Sequence, residues 1–271
     1  MGLLVRSWNL FHGNSVPPER RTFLEEAVRL AVADRPDIVC LQEVPGWGLA
    51  RLREWTGMKV WGCIAARPAI GPVTTTIEVG HALTSINYGF FRSAFSGQGN
   101  AILLGRHVHA GERHTLRLNA RGFRRAQARW LELPLVARLA WARERRICQA
   151  VRMTLSDGRA AVVANLHASH FPPDERLADA EVLRAAVFAD GLAEPEDICV
   201  LAGDFNVTAS RSRSLSDLTG ADWGFLGVGP GVDHILVRGA QAGPLESWPL
   251  ERRRVEGRVL SDHAPIEVRI R

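Results

Sequence analysis

Six short segments spread over nearly the whole chain are apolar runs that end on, or carry, a side chain a buried strand does not need. They are Leu3 to Asn9 (LLVRSWN), Asp37 to Glu43 (DIVCLQE), Ala160 to His167 (AAVVANLH), Val200 to Asn206 (VLAGDFN), Gly231 to Val237 (GVDHILV), and Ser261-Asp262-His263 ahead of the last run. Short apolar runs of this kind read as strands of a sheet with helices between them. A carboxylate in such a place is costly unless it is paired or holds a cation. Six repetitions gain no stability, so a convergent cluster serving a divalent cation and a phosphate-like anion is the better explanation. In VLAGDFN, alternation along an extended backbone aims Asp204 and Asn206 the same way, out of the carboxyl end of the strand, where α/β proteins keep their chemistry.

The donor set is rich in oxygen, with Glu43 as anchor and Asn9, Asp204, Asn206 and Asp262 near it. Hard oxygen donors, few in number, favour Mg²⁺ or Mn²⁺ over zinc. Cys40, Cys63, Cys148 and Cys199 have no CxxC or HxxxH company and read as buried, reduced thiols. Other polar residues have structural readings. Asp37, after Pro36, is a turn residue, and His234 follows Asp233 on one strand and so faces the other side. His107, His109 and His114 fall in a basic, irregular-looking stretch and read as surface positions, while His12 either lines the cleft or is structural.

The motifs SWN, LQE, NLH, GDFN, VDHILV and SDHAP, in this order and spacing, resemble those of the endonuclease/exonuclease/phosphatase superfamily. That superfamily includes pancreatic-type deoxyribonucleases, apurinic endonucleases, sphingomyelinases and inositol-phosphate phosphatases. The resemblance covers residues 3 to 270. It implies an α/β (α+β) four-layer sandwich, two packed mixed β-sheets flanked by helices, and a set of roles. Glu43 would be the principal metal ligand, assisted by Asn9, with Asp262 a further carboxylate at or behind the metal. Asp233 would pair with His263, which would take a proton from water or bind the phosphate as a cation. Asp204 would orient or deprotonate the attacking water, and Asn206 would hold a phosphate oxygen or the Asp204 side chain. His167 would be a phosphate contact or the leaving-group acid, with Asn165 beside it. Asn100, in GNAILL, would lie near the cleft. A phosphate-binding arginine is implied just before the strand Ile147 to Leu155, at Arg145 or Arg146. The only tyrosine, Tyr88, sits in the loop INYGFFRSAFSGQGN, away from any equivalent of the family's active-site tyrosine.

With 271 residues, 46% hydrophobic content and no glycine-serine or proline-rich linker, residues 1–271 are expected to form one domain. Pro17-Pro18-Glu19 predicts a helix running to Ala33, with Phe23, Ala27, Leu30 and Ala31 on one face. Pro172-Pro173-Asp174-Glu175 repeats the device ahead of a helix to about Ala189. Leu133 to Arg146 reads as an amphipathic helix, with Leu135, Leu139 and Ala142 set against Arg138, Arg143, Arg145 and Arg146. It packs beside the cleft to grip a polyanion, dips an apolar face into lipid, or is a solvated helix.

No apolar run is long enough to predict a spanning helix, and Trp47, Trp55 and Trp61 read as core or helix-face residues. The chain enters its first strand at Leu3, so no signal peptide is expected, and the scattered cysteines suit a cytoplasmic location. The net charge of +5 supports an acidic partner, although arginine dominates and Lys59 is the lone lysine. The expected activity is Mg²⁺- or Mn²⁺-dependent phosphodiester hydrolysis by in-line attack of water, on DNA or RNA, with no obligate protein partner. A phospholipid-type diesterase or a phosphomonoesterase is the alternative within the same chemistry. A non-catalytic binding module would lack at least one of Glu43, Asp204 and His263, and all three are present.

Overall fold

Valine, isoleucine, leucine and alanine fill the apolar runs, and these runs fold as strands buried along nearly their whole length. The computed structural model describes residues 2–70, 73–91 and 95–271; Arg92 to Ala94, which follow Tyr88 in the sequence, lie outside the described residues. The result is a mixed α/β architecture of several sheets flanked by helices. The chain divides into two compact units, residues 1–106 with 246–269 and residues 107–245 with 270–271.

In the first unit the six-stranded sheet has the order Glu246–Ser247, Ile266–Ile270, Leu3–Asn9, Ile38–Val44, Gln98–Leu104 and Lys59–Ala66. Leu3–Asn9 and Ile38–Val44 are parallel, and Gln98–Leu104 runs antiparallel to its neighbours. The helix Leu24–Val32 lays Leu24, Ala27, Val28 and Ala31 on a core shared with Trp8, Val39, Leu41, Ala101 and Leu103. Asn9, two residues on from Ser7, belongs by alternation to the sheet's opposite face. This helix begins at Leu24, not at the Pro17-Pro18 pair. The preceding segment spends its backbone groups elsewhere: Phe23 N donates to the Gly13 carbonyl, Tyr88 N to the Arg20 carbonyl, and Ser15–Val16 pairs with Arg258–Leu260.

In the second unit the order is Asp233–Arg238, Ile198–Asp204, Ala160–His167, Ile147–Thr154 and His109–Arg117. Only Ala160–His167 and Ile198–Asp204 are parallel. The helix Arg176–Asp190 follows its proline pair as expected and packs Ala178, Val182, Ala185 and Ala186 onto Val162, Ala164, Cys199 and Leu201. Asn165, His167 and Asp204 alternate to the other face of that sheet. The irregular-looking histidine stretch is a strand, His109–Arg117, with a register shift between Ala110 and Arg113, and His114 faces Glu112 at 3.2 Å. Among the described residues, no helix is long and apolar enough to cross a membrane.

The segment Leu133 to Arg146 departs most from expectation. Its helix is Leu135–Arg143, and its buried stripe is Ala137 and Trp141; Leu135 and Leu139 face solvent. The indole of Trp141 decides this orientation, because its Nε1 donates to the buried Glu181 carboxylate and its ring fills a small core with Ala128, Leu133 and Leu177. A second helix, Arg121–Trp130, precedes it.

Glu181 is fully buried and accepts from Trp141 Nε1, Ser169 N at 2.7 Å and Ser169 Oγ at 3.0 Å. Burial pushes its carboxyl from the ordinary 4.5 up to about 7, against the pull of these donors. A raised carboxyl binds more protons folded than unfolded, so its contribution to stability is complete below about pH 4.5 and is lost as pH rises through 7. The loss amounts to about 3 kcal/mol. Urea midpoints for the wild-type protein are therefore expected to fall between pH 5 and pH 8, and Glu181→Gln should flatten that fall. An unchanged pH slope in the variant would remove Glu181 as its source.

Candidate active site

In the first unit the carboxyl ends of two parallel strands lie side by side, with Asn9 in register with Gln42. Between Ile38–Val44 and Gln98–Leu104 the register slips, from Leu41 opposite Ala101 to Val44 opposite Gly99. Gln42 and Glu43 together therefore oppose Asn100, which is a β-bulge. Glu43 takes φ of 51° there, a left-handed conformation that disfavours a side chain. The bulge breaks the strand's alternation and carries the Glu43 carboxylate to His12 Nε2, at 2.9 Å.

His12 lies in a tight turn held from two sides. Asn9 Oδ1 accepts from Phe11 N at 2.9 Å, and the Tyr88 hydroxyl donates to the His12 carbonyl. Tyr88 is thus buried behind His12, and burial pushes its phenol pKa up, so it stays a donor. The same strand end anchors the SDH loop: Ser261, at φ 62°, donates from Oγ to the Asn9 carbonyl at 2.7 Å and accepts from His263 N at 3.0 Å. Trp8 Nε1 donates to the His263 carbonyl at 3.0 Å. Arg253 Nη1 donates to the carbonyls of Leu260, Ser261 and His263 at 3.2, 2.7 and 3.0 Å. Burial lowers the Arg253 pKa and the nearby Asp262 carboxylate opposes that shift. His263 is half-buried and Asp262 exposed.

In the second unit His167 and Asp204 are register partners at the carboxyl ends of neighbouring parallel strands, with Nε2 and Oδ2 3.5 Å apart. Across the antiparallel pair Asp204 is in register with Asp233, and carboxylate oxygens of the two lie within 4.8 Å of one another. Gly203 permits this edge: its φ is 143°, and a Cβ there would sit 1.9 Å from the Leu166 carbonyl oxygen. Asn206, at φ 53°, donates from its backbone N to Asp204 Oδ1 at 3.1 Å and from Nδ2 to the Ala168 carbonyl at 3.0 Å. Its Oδ1 is 2.8 Å from His170 Nδ1. Asn165 is fully buried, in register with Gln149 and Ala202.

Arg146 is the inward arginine. Its Nη1 lies 2.7 Å from His167 Nε2 while its Nε donates to Glu144 Oε2 at 2.7 Å. Arg145 is exposed and closes the preceding helix, donating to the Ala142 carbonyl at 3.0 Å. His234 is buried in the core, with Nδ1 accepting from Gly229 N and Nε2 on the Val207 carbonyl, both at 2.9 Å, and burial lowers its pKa so that it stays neutral.

Four contributors escaped the sequence reading: His170, Glu144, Arg253, and Tyr88 as the support of His12. His170 sits three residues beyond His167, past the strand end, where no periodicity assigns a direction. Arg253 stands in the run ERRR, which does not distinguish a loop organiser from a solvated charge.

The donors suit a hard divalent cation. Glu43 stands on a bulge whose left-handed backbone costs about 1–3 kcal/mol. Asp204 and Asp233 bring two carboxylates together in a largely buried place, an oxygen-donor pair of the kind that suits such a cation. Three cysteines, by contrast, are buried in strands, and burial pushes the Cys40 and Cys199 thiols up to about 12, away from metal-binding thiolate.

Solved structures share the fold. A humanized D. rerio TDP2 carrying 14 mutations is 15% identical, with 100% of this chain and 99% of that chain covered at a TM-score of 0.67. An endonuclease/exonuclease/phosphatase from Bacteroides vulgatus is 14% identical over 100% and 99% of the two chains, at 0.68. A functionally unknown conserved protein from Enterococcus faecalis V583 is 16% identical over 99% of each, at 0.66. No curated protein sequence matches the chain. The sequence profile described as "Endonuclease/Exonuclease/phosphatase family" matches residues 7–263, a span that holds the strand ends just described, and the chain belongs to that family of phosphoester hydrolases.

Proposed function

We propose that the protein is a Mg²⁺- or Mn²⁺-dependent phosphodiesterase that cleaves a P–O bond by in-line attack of water, with DNA or RNA as its substrate. One observation carries this reading: a buried arginine, a histidine and two carboxylates stand at adjoining strand ends, with Arg146 on His167, His167 in register with Asp204, and Asp233 in register with Asp204. Fixed cationic and anionic groups at one strand edge suit a reaction in which a phosphate must be held while a water is activated. Glu43 and Asn9 would hold the cation, with Asp262 as a further carboxylate for it. When bound, the cation supplies Lewis acidity toward a phosphoryl oxygen and offsets the charge of the pentacoordinate transition state.

Asp204 orients the attacking water and accepts its proton, and the backbone N of Asn206 keeps that carboxylate aimed. The Asn206 amide, supported by Ala168 and His170, lies ready for a phosphate oxygen. Arg146 and His167 contact the phosphate, with Asn165 behind them. Asp233 adds its charge beside Asp204. His263, on the loop that Ser261 ties to Asn9, handles a proton or a phosphate oxygen. A cytoplasmic location fits the scattered cysteines.

Hydrolysis of bis-p-nitrophenyl phosphate is the direct test. EDTA should abolish turnover and Mg²⁺ or Mn²⁺ should restore it; turnover that persists in chelator would remove the metal assignment. Side-by-side assays on single- and double-stranded DNA, abasic DNA, RNA, sphingomyelin and phosphoinositides then decide the substrate. A lipid preference would overturn the nucleic-acid reading and leave the chemistry standing.

A further inference from the structure

Residues 117–146 hold nine arginines against two glutamates, a surplus of seven positive charges in a chain whose whole net charge is +5. The helices Arg121–Trp130 and Leu135–Arg143 in this segment cover the small core of Ala128, Leu133, Ala137, Trp141 and Leu177. Their outer surfaces combine two kinds of side chain that water alone does not favour together. Trp130, Leu135, Val136 and Leu139 are 75, 71, 67 and 56% exposed. On the second helix, Leu135, Val136, Leu139 and Arg143 occupy the side opposite Ala137 and Trp141 by helical spacing. On the first, Arg125, Arg129 and Trp130 are exposed while Ala128 is buried.

Arg124, Arg125, Arg129 and Arg138 line a cavity of about 370 Å³ with Ala128 and Trp141, the residues of the buried side. None of these four arginines has a carboxylate partner among the described residues. Their guanidinium groups reach only carbonyls, Arg124 Nε to Asn119, Arg129 Nε to Arg125 and Arg138 Nε to Leu133. Elsewhere arginines pair freely with acids, as Arg6, Arg29, Arg152 and Arg238 do. Burial, and then the charges of Arg145, Arg117, Arg121 and Arg125, pull the Arg124 pKa down, which registers the crowding of like charge.

We propose that this two-helix face docks the protein on an anionic lipid bilayer, with Trp130, Leu135, Val136 and Leu139 entering the interface and the exposed Arg125, Arg129 and Arg143 meeting headgroup phosphates. Apolar side chains interleaved with arginine on a helix lying along the surface are the composition that binds this interface. A nucleic acid would use the arginines and stack on Trp130, but it offers nothing to three exposed aliphatic side chains. The attachment is peripheral, and it stands independently of the hydrolytic reading.

Vesicle sedimentation of the full chain tests it, comparing phosphatidylcholine with mixed phosphatidylcholine/phosphatidylserine. Partitioning should be at least about tenfold stronger on the anionic vesicles and should weaken as salt is raised. The double variant Leu135→Ser/Leu139→Ser should lose about tenfold in vesicle binding with an unchanged melting curve and unchanged bis-p-nitrophenyl phosphate turnover. Arg125→Ala/Arg129→Ala should lose the preference for anionic vesicles. Equal partitioning on both vesicle types, or wild-type binding by the serine variant, would overturn the proposal. So would failure to bind vesicles combined with salt-sensitive binding of duplex DNA that is indifferent to Leu135 and Leu139, which would assign the face to nucleic acid.

Discussion

Glu43→Gln is expected to lower metal-dependent diester hydrolysis by about 10²- to 10³-fold with little change in the unfolding midpoint. The substitution keeps the size of the side chain and an oxygen for His12 Nε2, now 2.9 Å from the carboxylate, and removes the negative charge. Little stability is at stake, because Glu43 is partly exposed and its backbone already sits at φ 51° on the bulge opposite Asn100. Glu43→Gly provides a second arm: glycine takes that φ without steric cost, so activity should vanish while the fold is kept. Steady-state turnover of bis-p-nitrophenyl phosphate, measured over a range of Mn²⁺ concentrations beside a thermal melt, separates the roles. A metal ligand shows partial recovery at high Mn²⁺. A glutamine variant with wild-type turnover would remove Glu43 from the metal.

Arg6→Met should act in the opposite manner, costing about 3 kcal/mol of stability and sparing the chemistry. Arg6 is completely buried in the first strand, where its Nη1 and Nη2 each lie 2.7 Å from an Asp34 oxygen and its Nε lies 2.8 Å from Glu267. Nη1 also donates to the Ala31 carbonyl at 2.6 Å, at the end of the helix Leu24–Val32, where a cation meets the negative pole of the helix. The guanidinium stacks 4.5 Å from the Trp248 ring. Removing it strands Glu267, which retains Trp248 Nε1 at 2.9 Å and Arg252 at 3.2 Å. Those remaining partners hold the loss near the lower end of the range for a broken buried pair.

Hydrogen bonding to Arg6 holds the Asp34 carboxyl below its ordinary value, and Trp248 and Arg6 do the same for Glu267 against the effect of burial. Depressed carboxyl pKa values contribute stability that is present above about pH 4 and lost on acidification, so the variant should also show a shallower acid transition. Urea unfolding at neutral and acidic pH checks both statements. A loss below about 1 kcal/mol would mean that the cluster contributes no more than a surface ion pair.

The strand ends were legible in the sequence because period-two alternation and a terminal polar side chain are local signals, and the apolar runs ending at Asn9, Glu43, His167 and Asp204 are strands. Arg6 was not legible: inside LLVRSWN it looks like an isolated charge, and its partners Asp34 and Glu267 lie 28 and 261 residues away. Helix faces were misread for a related reason. Leu135 and Leu139 outscore Ala137 and Trp141 as an apolar stripe, yet a buried carboxylate forty residues further on claims the Trp141 indole and turns the helix around.

The choice between Arg145 and Arg146 likewise depends on His167, which local spacing cannot see. What the chain's own letters determined is the family, the succession of strands and helices, and the oxygen-rich chemistry of the strand ends, because these are carried by short-range pattern and residue type. What only the tertiary structure decided is which side chains meet: the bulge that delivers Glu43 to His12, the Arg146–His167 contact, the Asp204–Asp233 register and the outward face of the arginine-rich helices. Those depend on register, on bulges and on partners distant in sequence, where burial and pairing outweigh local preference.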